Sequence, residues 1–175
     1  MSQSARFAQA VLPHLDAGYN LARWLTRDAQ DADDVVQDAC VRALRYLDSL
    51  RGNDGRAWFL TIVRRTFYDW LARNHVATGE PADVEEIADM SSDPEETAIR
   101  QGELRALGDA LATLPLVYRE VLVLRELEEL SYKEIARIAD IPVGTVMSRL
   151  ARARNLLRRS PLLQAVGGEI SQVQR

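Results

Sequence analysis

The stretch "SYKEIARIADIPVGTVMSRLARARNLLR", residues 131–158, decides the architecture. Ser131 and Glu134 stand three apart at its start, the spacing of a capping box. In that motif each side chain accepts one of the amide hydrogens left free at a helix N-terminus. Ile135, Ala136 and Ala139 then form an apolar face, with small residues where a second helix can cross closely. "DIPVG" ends the first helix, because Pro142 cannot continue it and Gly144 permits a turn. Thr145 is the expected cap of a second helix, whose Val146, Leu150, Ala153 and Leu157 point inward. Two short helices joined by a tight turn make a helix-turn-helix.

In such a unit the second helix enters the DNA major groove, its N-terminal residues nearest the base edges. With Val146 and Leu150 inward, Met147, Ser148, Arg149, Ala151 and Arg152 fall on the outer or flanking faces. Arginine forks onto guanine O6 and N7, at ~1–3 kcal/mol of discrimination per good pair. Arg154, Arg158 and Arg159 suit phosphate contact, which adds salt-dependent affinity without sequence information. The helix dipole alone accounts for Arg158 and Arg159 at a helix end. It does not account for Arg149 and Arg152 near the start, where positive charge is disfavoured. Met147 and Ala151 cannot make strong base hydrogen bonds, so specificity rests on few direct contacts and on DNA shape.

Net charge conceals this basic segment. Residues 1–74 carry +1, residues 75–101 carry −7, and residues 102–175 carry +2, giving the overall −4. One connecting segment makes the protein acidic, and its isoelectric point of 5.3 says little against nucleic-acid binding. At 175 residues and 47% hydrophobic, the chain is long enough for one domain or two small ones. Few aromatics and abundant Leu, Ala and Arg favour helices over a sheet sandwich. The single cysteine, Cys40, excludes an internal disulfide framework and a multi-thiolate zinc site. Its neighbours "DACVRAL" put it on a helix as a small buried apolar residue. No signal-peptide pattern and no membrane-length apolar run is present, so a cytoplasmic protein is expected.

The remaining chain reads as helices. "FAQAVLPHLDAGYNLARWLT" sets Phe7, Val11, Leu15, Leu21, Trp24 and Leu25 close to one face, with Gly18 loosening the middle. "RDAQDADDVVQDACVRALRYLDSL" follows, capped by Asp31 or Asp33, with Val35, Ala39, Leu44 and Leu47 as a core stripe. "RGNDG" (51–55) is turn chemistry. "RAWFLTIVRRTFYDWLARN" is expected to bury Trp58, Ile62 and Val63 and to expose Arg56, Arg64, Arg65 and Arg73. Periodicity then fades through an acidic linker until "DPEE", where Asp93 and Pro94 resemble a helix start.

The segment "LPLVYREVLVLRELEELSYKEIARIADIPVGTVMSRLARARNLLR" resembles region 4, the promoter-reading domain, of extracytoplasmic-function (ECF) sigma factors. "DADDVVQDACVRALRYLDSLRGNDGRAWFLTIVRRTFYDWL" independently looks like region 2 of the same family. The resemblance implies an all-α chain of two small helical domains joined by a flexible acidic linker. Region 2 would occupy residues 1–75, the linker 76–98, region 4 residues 99–160, and a C-terminal tail 161–175. It further implies a bacterial transcription initiation factor that is not an enzyme and needs no cofactor, metal or small-molecule ligand. Region 2 would dock on the β′ coiled-coil of core RNA polymerase and open the −10 element. Region 4 would read the −35 element and touch the β flap. The linker would thread the active-site and RNA-exit channel, either as solvated disorder or as a nucleic-acid mimic. An anti-sigma factor is an implied partner.

Carried over residue by residue, the resemblance assigns core-polymerase docking to Asp33, Asp34, Val35, Gln37 and Asp38. Charge complementarity there speeds association more than it adds affinity. It assigns −10 contact to Asn53, Asp54, Gly55, Arg56, Arg64 and Arg65. The polar loop is suited to hydrogen-bond an extruded base, and the arginines to follow strand phosphates. Trp58 reads as core, while Phe67 and Tyr68 stay open between core and stacking. Candidates for −35 contact are Ser131, Tyr132, Lys133, Thr145, Met147, Ser148, Arg149, Ala151, Arg152 and Arg154.

Catalysis finds little support. The two histidines, His14 and His75, lie apart, and no Gly-rich phosphate loop, HExxH or Ser-His-Asp pattern occurs. The competing reading is a stand-alone helix-turn-helix regulator with a helical sensor domain. "DADDVVQDACVRAL" followed by an Arg-studded helix argues against it, since a ligand sensor needs neither.

Overall fold

A computed structural model describes residues 2–78 and 98–165. The acidic segment from 79 to 97, with the expected helix start at Asp93, and the tail from 166 lie outside the described residues. Every regular element among the described residues is helical, as the composition predicts. Among them, no helix is long and apolar enough to cross a membrane.

The N-terminal unit contains α1 (Gln3–Val11), α2 (Leu15–Thr26), α3 (Ala29–Arg45) and α4 (Gly55–Thr78). The stretch expected as one helix is two, because Pro13 sits in a 3-10 turn over Leu12–His14 between α1 and α2. Helices α2, α3 and α4 pack on one another around Leu21, Leu25, Val35, Ala39, Leu47, Phe59, Val63 and Phe67. Gly18 does not loosen α2. A Cβ there would lie 2.7 Å from a Phe59 ring carbon, so the missing side chain is what lets α2 approach α4.

Two N-terminal expectations are corrected. Helix α3 is capped by neither Asp31 nor Asp33. Asp28 accepts from the Asp31 amide at 2.9 Å, and Arg27 ends α2 in a left-handed conformation just before it. Leu44 is not in the core: it is 44% exposed on the outer face of α3, beside Val41.

The C-terminal unit contains α5 (Ala98–Thr113), α6 (Leu116–Leu122) with a π-helical extension over Val123–Leu127, α7 (Tyr132–Ala139) and α8 (Val143–Arg158). The capping box on α7 is complete: Ser131 Oγ accepts from the Glu134 amide at 3.2 Å, and Glu134 Oε2 accepts from the Ser131 amide at 2.7 Å. Ile135, Ile138, Val146, Leu150 and Ala153 are buried where α7 and α8 cross and meet α6. Leu157 is only half-buried.

The turn differs from expectation in its means. Its left-handed residue is Asp140, at φ 54°, whereas Gly144 lies inside the first turn of α8 with open space around its Cα. Pro142, in extended conformation, takes the N-cap position, so Thr145 is within the helix rather than its cap.

The two units are not beads on a string. α2 packs against α6 and α4 against α7, and the buried apolar residues form one continuous cluster through both units.

Candidate nucleic-acid interface

Helix α8 presents an open outer face. Met147, Ser148, Ala151 and Arg152 are exposed, with Gly144 above them, while Val146 and Leu150 anchor the opposite face. Ser148 donates its hydroxyl to the Thr145 carbonyl at 3.1 Å, which leaves its oxygen lone pairs outward. Arg149 is half-buried on the flank, close enough to Glu120 to favour that carboxylate's ionised form. Thr145 is half-buried. Arg154 is exposed but engaged: its Nη2 donates to Glu126 Oε1 at 2.6 Å, and this bond chiefly holds its guanidinium above the usual arginine value. On α7, Lys133 is exposed, Ser131 is committed to the cap, and Tyr132 lies under the Arg125 guanidinium at 4.8 Å. The outer face of α8 and Lys133 therefore stand together, and Ser131 and Tyr132 build the unit that carries them.

The expected −10 residues divide differently. Asn53 and Arg65 are exposed. Gly55 is buried, and a Cβ there would meet the Ala10 carbonyl oxygen at 2.7 Å, so it serves the close approach of α1 to α4. Asp54 accepts from the Ala57 amide at 3.2 Å as a helix cap, and its Oδ2 accepts from Arg137 of α7 at 2.9 Å. Arg56 and Arg64, expected in solvent, are both half-buried against the C-terminal unit. Arg56 donates to the Glu128 carbonyl and to its carboxylate, the latter at 3.1 Å. Arg64 donates from Nε to Glu120 and stacks over Tyr68, 4.6 Å from the ring centre.

Glu120 is fully buried, and burial pushes its carboxyl up, opposed by Arg64 and by the Tyr68 hydroxyl at 3.2 Å. Burial, then Glu120, pushes Tyr68 up to about 12, so it stays a neutral donor. Sequence reasoning could not find these partners, because they lie more than fifty residues away along the chain.

It also missed a cleft of about 570 Å³ between the end of α3 and α4, walled by Tyr46, Trp58, Tyr68, Arg42 and Arg65. Tyr46 is 60% exposed, and Trp58 lies half-buried in the wall with its indole N–H on Ser49 Oγ at 3.0 Å. The signal was present in the aromatic–arginine interleaving of "RAWFLTIVRRTFY". Phe67 resolves to core.

On α3, Asp33, Asp34 and Gln37 are exposed. Asp38 is half-buried and paired with Arg42 at 3.1 Å, and Val35 is in the core at 1% exposure, where no partner reaches it. Exposed Val41 and Leu44 continue the line from Asp33 and Gln37 at helical spacing. Sequence reading missed this apolar continuation because it assigned Leu44 inward.

Residues 10–76 match the Sigma-70 region 2 family and residues 104–157 the Sigma-70, region 4 family. The RNA polymerase sigma-H factor of Pseudomonas aeruginosa is 34% identical over 161 residues, covering 78% of this chain and 77% of its own. The ECF RNA polymerase sigma factor EcfG of Rhodopseudomonas palustris is 38% identical over 163 residues, covering 91% and 84%. The sigma factor RpoE of Bartonella quintana, solved in complex with the anti-sigma factor NepR, superposes with a TM-score of 0.74 at 29% identity, over 90% of this chain and 96% of that one. CnrH, solved in complex with the cytosolic domain of CnrY, gives 0.63 at 31% identity, over 91% and 88%. With both helical units matched in order and relatives aligned over most of their length, the chain belongs to the ECF sigma factors of the sigma-70 family, the transcription initiation factors that direct RNA polymerase to promoters.

Proposed function

We propose that α8 reads the −35 duplex through Arg149, Arg152 and Ser148, with Lys133 on the flanking phosphates. The observation that carries this reading is the exposed outer face of α8 in a helix-turn-helix whose first helix starts on a complete capping box. Arg154, tied to Glu126, adds to phosphate contact only after exchanging one anion for another. The loop at Asn53 and the Tyr46–Trp58–Tyr68 cleft accept the opened −10 strand, bases against aromatic faces and phosphates along Arg65. The stripe Asp33, Asp34, Gln37, Val41 and Leu44 docks on the basic β′ coiled-coil of core polymerase, its acids steering encounter and its two apolar residues adding contact area. The chain divides into region 2 over 1–75 and region 4 over 99–160, joined by the 76–98 linker. It works in the bacterial cytoplasm under an anti-sigma factor, a reading supported by the similar sigma factor RpoE, solved in complex with the anti-sigma factor NepR.

Transcription in vitro with core polymerase on a randomised promoter library tests the assignment. Arg149→Ala or Arg152→Ala is expected to cost about 1–3 kcal/mol at one or two −35 positions while leaving core binding unchanged. Unaltered promoter preference in both variants refutes it. Tight, sequence-specific promoter binding by the free protein would favour the stand-alone regulator instead.

A further inference from the structure

Half of the α8 outer face cannot hydrogen-bond to a base. Val143, Met147 and Ala151 stand four residues apart, so they form one slanting row along the first turns of the helix. Gly144, Ser148 and Arg152 form the next row beside it. Both rows are exposed, with Val143 at 37% and Met147 at 53%. We propose that the apolar row is a thymine reader: Met147, flanked by Val143 and Ala151, packs on the C5 methyls of thymines in A·T pairs beside the pair that Arg152 reads. The inference rests on the assignment of α8 to the −35 duplex and names the bases that its apolar half selects.

The surroundings of the row favour duplex DNA as its occupant. From Thr145 to Arg159 the chain carries five arginines and no acid, so the row lies in a strip of positive potential. In the major groove the C5 methyl of thymine is the apolar group that base edges offer, while guanine, adenine and cytosine present hydrogen-bonding atoms. An apolar row laid against those atoms would desolvate them without a partner, whereas against thymine methyls it gains contact area. The cations nearby leave the space to it. Arg149 turns to the far flank, half-buried near Glu120, and Arg154, one turn on, is held by Glu126 at 2.6 Å. Arg152 stands outward in the neighbouring row, placed to read the adjoining pair. Methionine suits the task, since its unbranched, polarisable side chain adapts to the position of a methyl group. Val146, Leu150 and Ala153 already anchor α8, so an exposed Met147 adds little to the fold.

The test uses holoenzyme assembled from core polymerase and the whole chain. The preferred −35 element is taken from transcription on the randomised promoter library, and each of its thymines, on either strand, is then replaced in turn by uracil. Uracil keeps the hydrogen-bonding atoms of thymine and lacks the C5 methyl. Competition binding is expected to show about fourfold weaker affinity at one or two thymines, the fold-change that one buried methyl is worth. Met147→Ala should bind the all-thymine promoter several-fold more weakly, and uracil at those positions should then cost it nothing further. That non-additivity separates direct contact from an effect of the methyl on DNA stiffness, which would persist in the variant.

A preferred element without A·T pairs beside the pair that Arg152 reads overturns the proposal. So does the absence of any loss on uracil substitution, or a loss of full size in the Met147→Ala holoenzyme. In those cases, promoter preference that still shifts with Arg152→Ala shows that the −35 assignment survives without the apolar reading. Preference indifferent to Arg149→Ala, Arg152→Ala and Met147→Ala alike removes that assignment, and the thymine reading with it.

Discussion

Arg119 is the most deeply buried cation among the described residues, at 1% exposure, and its hydrogen bonds there go to backbone carbonyls rather than to a carboxylate. Its guanidinium donates to the carbonyls of Leu114 at 2.9 Å, Ala112 at 3.2 Å and, across the interface, Leu25 at 3.4 Å. Ala112 and Leu25 lie in the last turns of α5 and α2, and Leu114 directly follows α5, where helix dipoles place partial negative charge. Burial, then the nearby Arg27, pushes the Arg119 pKa down to about 10, so the group stays charged at neutrality.

In Arg119→Ala the Ala112 carbonyl keeps Arg27, but the Leu114 carbonyl loses its guanidinium donor, at about 2 kcal/mol. Two buried methylenes beyond Cβ add roughly 1.6 kcal/mol. Relief of a partly unsatisfied guanidinium, whose Nε has no partner, returns some of this. The expected net loss is about 3 kcal/mol. Arg119→Met refills the volume and should lose about half as much. Urea unfolding followed by circular dichroism reports both units, while the three tryptophans, at 24, 58 and 70, report only the first. A loss below about 1 kcal/mol for Ala, or a Met variant no better than Ala, would show that this guanidinium does not tie the helix ends together.

Asp33→Ala combined with Gln37→Ala touches only exposed side chains, so the fold should persist while affinity for core polymerase falls roughly tenfold, about 1.4 kcal/mol. Competition against an unmodified sigma factor measures it, and native-like assembly counts against the docking stripe. Ser131→Ala removes one arm of the capping box and should cost about 1 kcal/mol in thermal unfolding, with no change expected if water replaces the hydroxyl. Gly18→Ala should destabilise by roughly 1–3 kcal/mol against the Phe59 ring, whereas Gly144→Ala, with open space around it, should be neutral or stabilising by up to about 1 kcal/mol. Equal melting temperatures for these two variants would disprove the packing account of Gly18.

What the sequence determined by itself was local. Helix content, the capping box at Ser131, the inward Val146 and Leu150, and the outward Met147, Ser148 and Arg152 all follow from contacts within a few residues. Such contacts recur at fixed spacing, so periodicity and side-chain chemistry read them directly. The inward placing of Leu44 failed for the same reason in reverse. An apolar residue at core spacing reads as core, and only the packed neighbours show that nothing covers it.

Tertiary structure alone decided the fate of Arg56, Arg64 and Asp54. Each looked like a solvent-facing group on a helix or loop, and each meets a partner seventy or more residues away, or fifty-six for Arg64. Charge patterning along a chain identifies what a guanidinium can bind, but not which anion reaches it first. That depends on how two helical units, each legible alone, pack together, and a desolvated Glu120 at their joint outweighs any local preference for water.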